Sequence, residues 1–231
     1  MKRLLLTLLL SFSVPSLGQL IFDGNTGTTG VQNGAGVWDT GTANWWSPTL
    51  LSNTTWNDGL AQFGSSSSAV GGTITVNSAI NATGLDFLPL SAAPTTTNQA
   101  YHFSGTGSLN LTGPAPIINI GNLSTSGSST AVSAVNFLLP VNASNLTIQK
   151  NSGTAIGFVR FTANNTGLTG LLTLKGDAGG IFLGFGSQPH SRSRGIQFCG
   201  ATDGDGCHLQ RAFSHCRRWR HDQLGSHPHG L

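Results

Sequence analysis

The stretch Thr73-Ile74-Thr75-Val76-Asn77-Ser78-Ala79-Ile80-Asn81-Ala82-Thr83-Gly84-Leu85-Asp86-Phe87 alternates apolar and polar side chains, interrupted only by small or turn-forming residues. An apolar residue at every second position lines one face of a strand, because successive side chains of an extended chain point to opposite sides. The same theme returns at Tyr101-His102-Phe103, Ser108-Leu109-Asn110-Leu111, Ile118-Asn119-Ile120, Leu146-Thr147-Ile148, Phe158-Val159-Arg160-Phe161 and Leu171-Leu172-Thr173-Leu174. Strand-like peaks thus arrive about every ten residues, a spacing that suits a sandwich, a barrel or the coils of a parallel β-helix. Tight hairpin signals such as Asn33-Gly34 and Asp58-Gly59 are few. A solenoid, in which each coil buries its inward side chains against its neighbours, tolerates this loose period and the abundance of Gly, Ser, Thr and Asn. The expected fold is all-β, a right-handed parallel β-helix or solenoid, with a β-sandwich as the alternative.

Composition supports the same class. Only 8% of the 231 residues are charged, against about 25% in an ordinary soluble domain. Glutamate is absent and Met occurs once, while Gly reaches 32, so the side chains that favour helices are scarce. A hydrophobic content of 38% argues against simple disorder, which couples low hydrophobicity to high charge.

Three segments differ in character. Residues 1–18 place Lys2 and Arg3 before the apolar run Leu4 to Leu10, followed by Ser16-Leu17-Gly18, the order of a secretory signal peptide. The run is too short to span a bilayer as a helix, and no later stretch approaches the length needed, so no transmembrane segment is expected in a mature chain starting near Gln19. Residues 19–186 form the repetitive body and are weakly acidic: Asp23, Asp39, Asp58, Asp86 and Asp177 face only Lys150, Arg160 and Lys175. Residues 187–231 hold six arginines, six histidines and all three cysteines. The basic balance of the whole chain therefore belongs to its ends and is no nucleic-acid footprint of the body.

Three readings of the tail compete. Cys199, Cys207, His208, His215 and Cys216 are zinc-ligand types, but Cys199 and Cys207 stand too far apart for the usual close pairing. The run from Arg211 to Arg220 could serve anionic surfaces, the ordinary look of an Arg-rich stretch. The third reading takes the tail as the body's gene in a shifted frame. Arg217-Arg218-Trp219-Arg220 can be encoded as CGG CGG TGG CGG, which reads Gly-Gly-Gly one base on and matches the body's composition. The tail after about residue 187 is accordingly expected to be disordered or out of frame.

Val37-Trp38-Asp39, Ala43-Asn44-Trp45-Trp46 and Thr55-Trp56-Asn57-Asp58-Gly59, followed by Gly72-Thr73-Ile74-Thr75-Val76, resemble the opening of the autotransporter-associated β-strand repeat proteins. Asn164-Asn165-Thr166-Gly167-Leu168-Thr169-Gly170 with Leu172-Thr173-Leu174 and Gly176 is similar to the turn and strand of that repeat. The resemblance covers most of residues 30–186. It implies a passenger-like secreted β-helix with a structural or adhesive role at the cell surface and no known reaction. Members continue through further repeats into a barrel or a sorting tail, neither of which stands in this sequence, as in a truncated or frameshifted product.

Trp38, Trp45, Trp46 and Trp56 fall close together. They are the candidate carbohydrate contacts, since exposed indoles stack on sugars. Against that stands capping, in which bulky rings close the first coil of a solenoid against water. Asp39 and Asp58 superficially suggest a glycosidase pair, but both occupy turn-like contexts, and Asp58-Gly59 reads more simply as a turn. His102 reads as an outward strand residue. No catalytic residue, cofactor or metal site is expected in the body. The expected function is an exported, non-enzymatic structural or adhesive β-repeat protein, with extracellular polysaccharide or other cell-surface components as partners. The alternative is a carbohydrate-binding or polysaccharide-degrading β protein using the Trp38–Trp56 cluster.

Overall fold

The computed structural model describes residues 18–64, 71–88, 99–121, 133–150, 157–176, 181–185, 195–200 and 208–211. Every regular element among them is a strand. The chain opens with β1 (Leu20–Phe22), β2 (Gly36–Val37), β3 (Trp45–Ser47), β4 (Ser52–Thr54) and β5 (Leu60–Phe63). It continues through β6 (Gly72–Thr75), β7 (Ala79–Ala82) and β8 (Gly84–Phe87), then β9 (Gln99–Ser104), β10 (Ser108–Leu111) and β11 (Ile117–Ile120). Next come β12 (Ser133–Phe137), β13 (Val141–Asn142), β14 (Leu146–Lys150), β15 (Gly157–Phe161) and β16 (Leu172–Gly176). The last described strands are β17 (Ile181–Phe185), β18 (Gly195–Gly200) and β19 (His208–Arg211).

These strands form three sheets. A ten-stranded sheet has the order β19-β18-β16-β14-β11-β8-β5-β1-β3-β4, a six-stranded sheet β17-β15-β12-β9-β6-β2, and a three-stranded sheet β13-β10-β7. At β6 to β8, again at β9 to β11, and again at β12 to β14, the chain visits the six-, three- and ten-stranded sheets in that order. Each strand therefore lies beside its counterpart one circuit later. Pairing is parallel except between β1 and β3, β3 and β4, and β18 and β19. The sandwich alternative gives way here, because sandwich sheets pair antiparallel.

The alternation seen in the sequence becomes an inside and an outside. In β7 exposed and buried residues alternate, and in β10 and β14 buried residues alternate with partly exposed ones. The interior is a continuous apolar cluster running from Leu20 and Phe22 to Leu172 and Leu174. Parallel register brings like side chains together: Phe103 lies beside Phe137 and Phe137 beside Phe161, with rings stacked at 5.0 and 5.2 Å. Lys150 continues the inward set of Leu146 and Ile148 and is buried.

Between the six- and three-stranded sheets the chain turns over the preceding circuit at very close range. Gly105 has φ +130°, and a Cβ there would run into the Val76 carbonyl oxygen, so the position requires glycine. The amide of Gly107 donates to that same oxygen at 2.9 Å.

Of the segment beyond residue 187, expected to be disordered or out of frame, the described residues 195–200 and 208–211 form β18 and β19. Gly195-Ile196-Gln197-Phe198 carries a short alternation of its own. Parallel pairing with β16 sets Ile196 beside Leu172 and Phe198 beside Leu174, and β19 returns antiparallel. An exposed sheet edge with unsatisfied amides and carbonyls accepts any such strand. The signal peptide expected over residues 1–18 lies, Gly18 apart, outside the described residues, as do the ligand candidates Cys207, His215 and Cys216.

Candidate functional site

The four candidate indoles separate into two groups. Trp38 and Trp45 are fully buried and Trp56 is 5% exposed. Trp45 lies with ring centroids 5.3 Å from Phe22, 5.0 Å from Trp38 and 4.3 Å from Trp56. Trp38 also meets Phe63 at 5.6 Å, and the Trp56 Nε1 donates to the Asn81 carbonyl at 2.7 Å. These rings are covered by other rings, the packing that was weighed against sugar contact for Trp38, Trp45 and Trp56. Trp46 differs. Alternation along β3 turns it away from Trp45, to the outer side of the ten-stranded sheet, where it is partly exposed.

Register continues from Trp46 across the sheet. Trp46 lies beside Ile21, Ile21 beside Gln62, Gln62 beside Asp86, Asp86 beside Asn119, Asn119 beside Gln149 and Gln149 beside Lys175. At roughly 4.8 Å between neighbouring strands, the row from Trp46 to Lys175 is about 29 Å long. Within the row the Asn119 Nδ2 donates to the Asp86 Oδ1 at 2.7 Å, while Gln62 is buried and held from outside it, its Nε2 donating to the Gly64 carbonyl at 3.3 Å and its Oε1 accepting from Gln19. Partial burial pushes the Asp86 carboxyl above its ordinary range, with the Asn119 amide opposing.

A second polar row runs on the outer side of the three-stranded sheet. Asn142 Nδ2 donates to Asn110 Oδ1 at 2.8 Å, and Asn110 Nδ2 to Asn81 Oδ1 at 3.1 Å. Beyond Asn142 the row ends at Gly167, where a Cβ would collide with the Asn142 amide.

The acids weighed for catalysis are occupied locally. The Asp39 carboxylate accepts from the amides of Gly41 at 2.9 Å and Thr42 at 2.6 Å and from the Thr42 hydroxyl at 2.9 Å; the Thr42 amide bond leads in holding its carboxyl below the usual range. Asp58 sits in a turn at φ +61°, beside Gly59. Buried Asp23 accepts from the amides of Asn25 and Gln32 and from Asn53 Nδ2. His102 is half-buried on the outer side of the six-stranded sheet between Thr73 and Asn136, and burial lowers its pKa. Among the described residues no group of three His, Cys, Asp or Glu side chains is placed to hold a metal ion.

The two polar rows were not singled out from the sequence. Their signal is present in hindsight as an apolar-polar-apolar triplet in successive circuits: Ala61-Gln62-Phe63, Leu85-Asp86-Phe87, Ile118-Asn119-Ile120, and on the other sheet Ile80-Asn81-Ala82 and Leu109-Asn110-Leu111. No family model, curated protein or solved structure matches the chain. No helix among the described residues is long and apolar enough to cross a membrane.

Proposed function

We propose that this chain is an exported, non-enzymatic β-repeat protein with a structural or adhesive role at the cell surface or outside the cell, folded as a right-handed parallel β-helix. The observation that carries this reading is the repeated visit to three sheets in one order, with parallel register and like residues stacked from circuit to circuit. Stacked circuits give a rod whose area lies in long flat sides, a form suited to spacing and contact rather than to enclosing a substrate. The polar rows of Asn, Gln and Asp along those sides supply contact chemistry over many strands. The buried indoles serve as the cap at the first circuit. Export rests on the order of charge, apolar run and small residues in Met1 to Gly18.

The test is twofold. Mass spectrometry of the protein recovered outside the cell should find a mature N-terminus at Gln19; retention of the full leader inside the cell would overturn export. Particles coated with the purified chain should adhere to cells or extracellular matrix more than particles coated with an unrelated β protein, and equal adhesion would overturn the adhesive role.

A further inference from the structure

We propose that the tip of the β3–β4 hairpin, Pro48-Thr49-Leu50-Leu51, inserts into the interfacial layer of an uncharged lipid membrane, with Leu50 and Leu51 as its anchors and Trp46 at headgroup level. This adds lipid binding to the surface role above and rests on that role only for where the chain works. Leu50 and Leu51 are 66% and 73% exposed, the highest values for large apolar side chains among the described residues. Leu51 also stands at φ +54°, a left-handed conformation that turns ordinarily give to Gly or Asn and that strains a bulky side chain. Neither leucine serves the core, so their apolar surface is directed outward.

Three features select lipid over a protein partner. The first is the backbone. Pro48 carries no N–H, the Leu50 amide donates to the Ser47 hydroxyl at 3.1 Å, and the Leu51 amide donates to the Ser47 carbonyl at 2.8 Å. Three of the four tip residues thus present no open amide, the condition under which backbone can leave water for hydrocarbon without an unmet donor. The second is charge. Residues 40–57 contain no Asp, Glu, Lys, Arg or His, so insertion drags no ion out of water and calls for no anionic headgroup. The third is area. A convex apex with two apolar side chains falls far short of the roughly 800 Å² per partner that a stable protein interface buries, whereas entry into lipid requires depth alone. Trp46 fits the same geometry. It is partly exposed on the outer side of β3, two residues or about 7 Å behind Pro48, and indoles favour the boundary between headgroups and acyl chains. The hairpin ends in β4, the terminal strand of the ten-stranded sheet, so the tip stands at an end of that sheet.

Cosedimentation of the chain beginning at Gln19, the form left by leader removal, with neutral phosphatidylcholine vesicles tests the assignment. Neutral lipid keeps the arginines of residues 187–231 from contributing. Binding is expected at lipid concentrations on the order of millimolar, weaker than a single acyl chain gives, and raised salt should not release it. Leu50→Ser should weaken it about tenfold. Leu51→Gly should weaken it as much while leaving the urea unfolding midpoint in place or higher, because glycine takes the positive φ freely. Should Leu50→Ser lower that midpoint, Leu51→Gly carries the test. Leu138→Ser makes the same change at a 48% exposed leucine that follows β12 and should bind as the parent does. No binding to neutral vesicles, full binding by both tip variants, an equal loss in Leu138→Ser, or self-association without vesicles that Leu50→Ser abolishes would each overturn the proposal. Its failure is separable from that of the surface role: a chain retained inside the cell whose purified form binds vesicles through the tip keeps the proposal and loses the location, whereas an exported chain that stays in the supernatant keeps export and removes the tip.

Discussion

The opening segment, residues 20–63, and the repeated middle, residues 72–176, fill the same interior in different ways. In the opening, rings from non-equivalent positions meet edge to face or tilted: Phe22 and Trp45 at 74°, Trp38 and Trp56 at 81°, Trp38 and Trp45 at 58°. In the middle, rings from equivalent positions lie nearly parallel, Phe103 and Phe137 at 23° and Phe137 and Phe161 at 12°. The strand spacing explains the second arrangement. Identical residues in parallel register adopt the same rotamer about 4.8 Å apart, which leaves offset stacking as the available contact. In the opening segment the interior is filled instead by unlike side chains, beside the antiparallel pairings of β1 with β3 and β3 with β4.

This difference sets an order of sensitivity. Trp38 touches Trp45, Trp56, Phe63 and Phe103, and thus joins the opening segment to the ring that begins the Phe103–Phe137–Phe161 stack. Trp38→Ala should cost about 3–5 kcal/mol in urea-induced unfolding. A loss no larger than that of a surface substitution would mean that the two regions do not share one core.

Gly105→Ala should cost about 1–3 kcal/mol, since it combines positive φ with a Cβ that meets the Val76 carbonyl. Gly113, also at positive φ but with open space around its Cβ position, makes the control: Gly113→Ala should cost less, and the difference between the two isolates the close approach of successive circuits.

Asn110→Ala removes both hydrogen bonds of the central residue in the Asn row and should lower stability by about 1 kcal/mol. Asn53→Ala provides the opening-segment counterpart, because Asn53 donates to the buried Asp23 carboxylate. Leaving that carboxylate short of a partner should cost more than interrupting a solvent-facing row.

The smallest effect is expected at Asp86, and it has the opposite sign. Burial raises its pKa from the ordinary 3.8, so the folded chain holds this proton more tightly than the unfolded chain does. The carboxyl therefore favours folding below its unfolded pKa, and that contribution is lost as pH rises through the folded value. Asp86→Asn keeps an acceptor for Asn119 and should raise the thermal midpoint slightly at pH 7. The gain should disappear as the pH is lowered towards 3.8. A midpoint lowered at neutral pH would show that the Asn119 bond outweighs the burial.

The strands were largely legible because period two is a local property. Ile74, Ile80, Leu85 and Phe87 are buried where the alternation puts them, and the all-β class follows from such segments taken singly. Asp58 likewise occupies the turn that Asp58-Gly59 announces. The indole cluster was legible as a cluster but not as a surface. Trp45 and Trp46 are chemically equal neighbours of which alternation must bury one, and the sequence offers no sign of which. The two strands in the tail escaped notice for a related reason, since the alternation of Gly195-Ile196-Gln197-Phe198 is short and lies among Cys, His and Arg.

The amino-acid sequence by itself determined that the chain forms short strands with apolar inner faces and polar outer ones, because side-chain direction along a strand depends only on neighbours in the chain. Tertiary structure alone decided that Gln62, Asp86, Asn119 and Gln149 share one row, that Asn81, Asn110 and Asn142 share another, and that Trp46 looks outward. Those meetings depend on the register between strands one circuit apart. Register is set by how connections of unequal length close over a common core, a quantity that no local pattern contains.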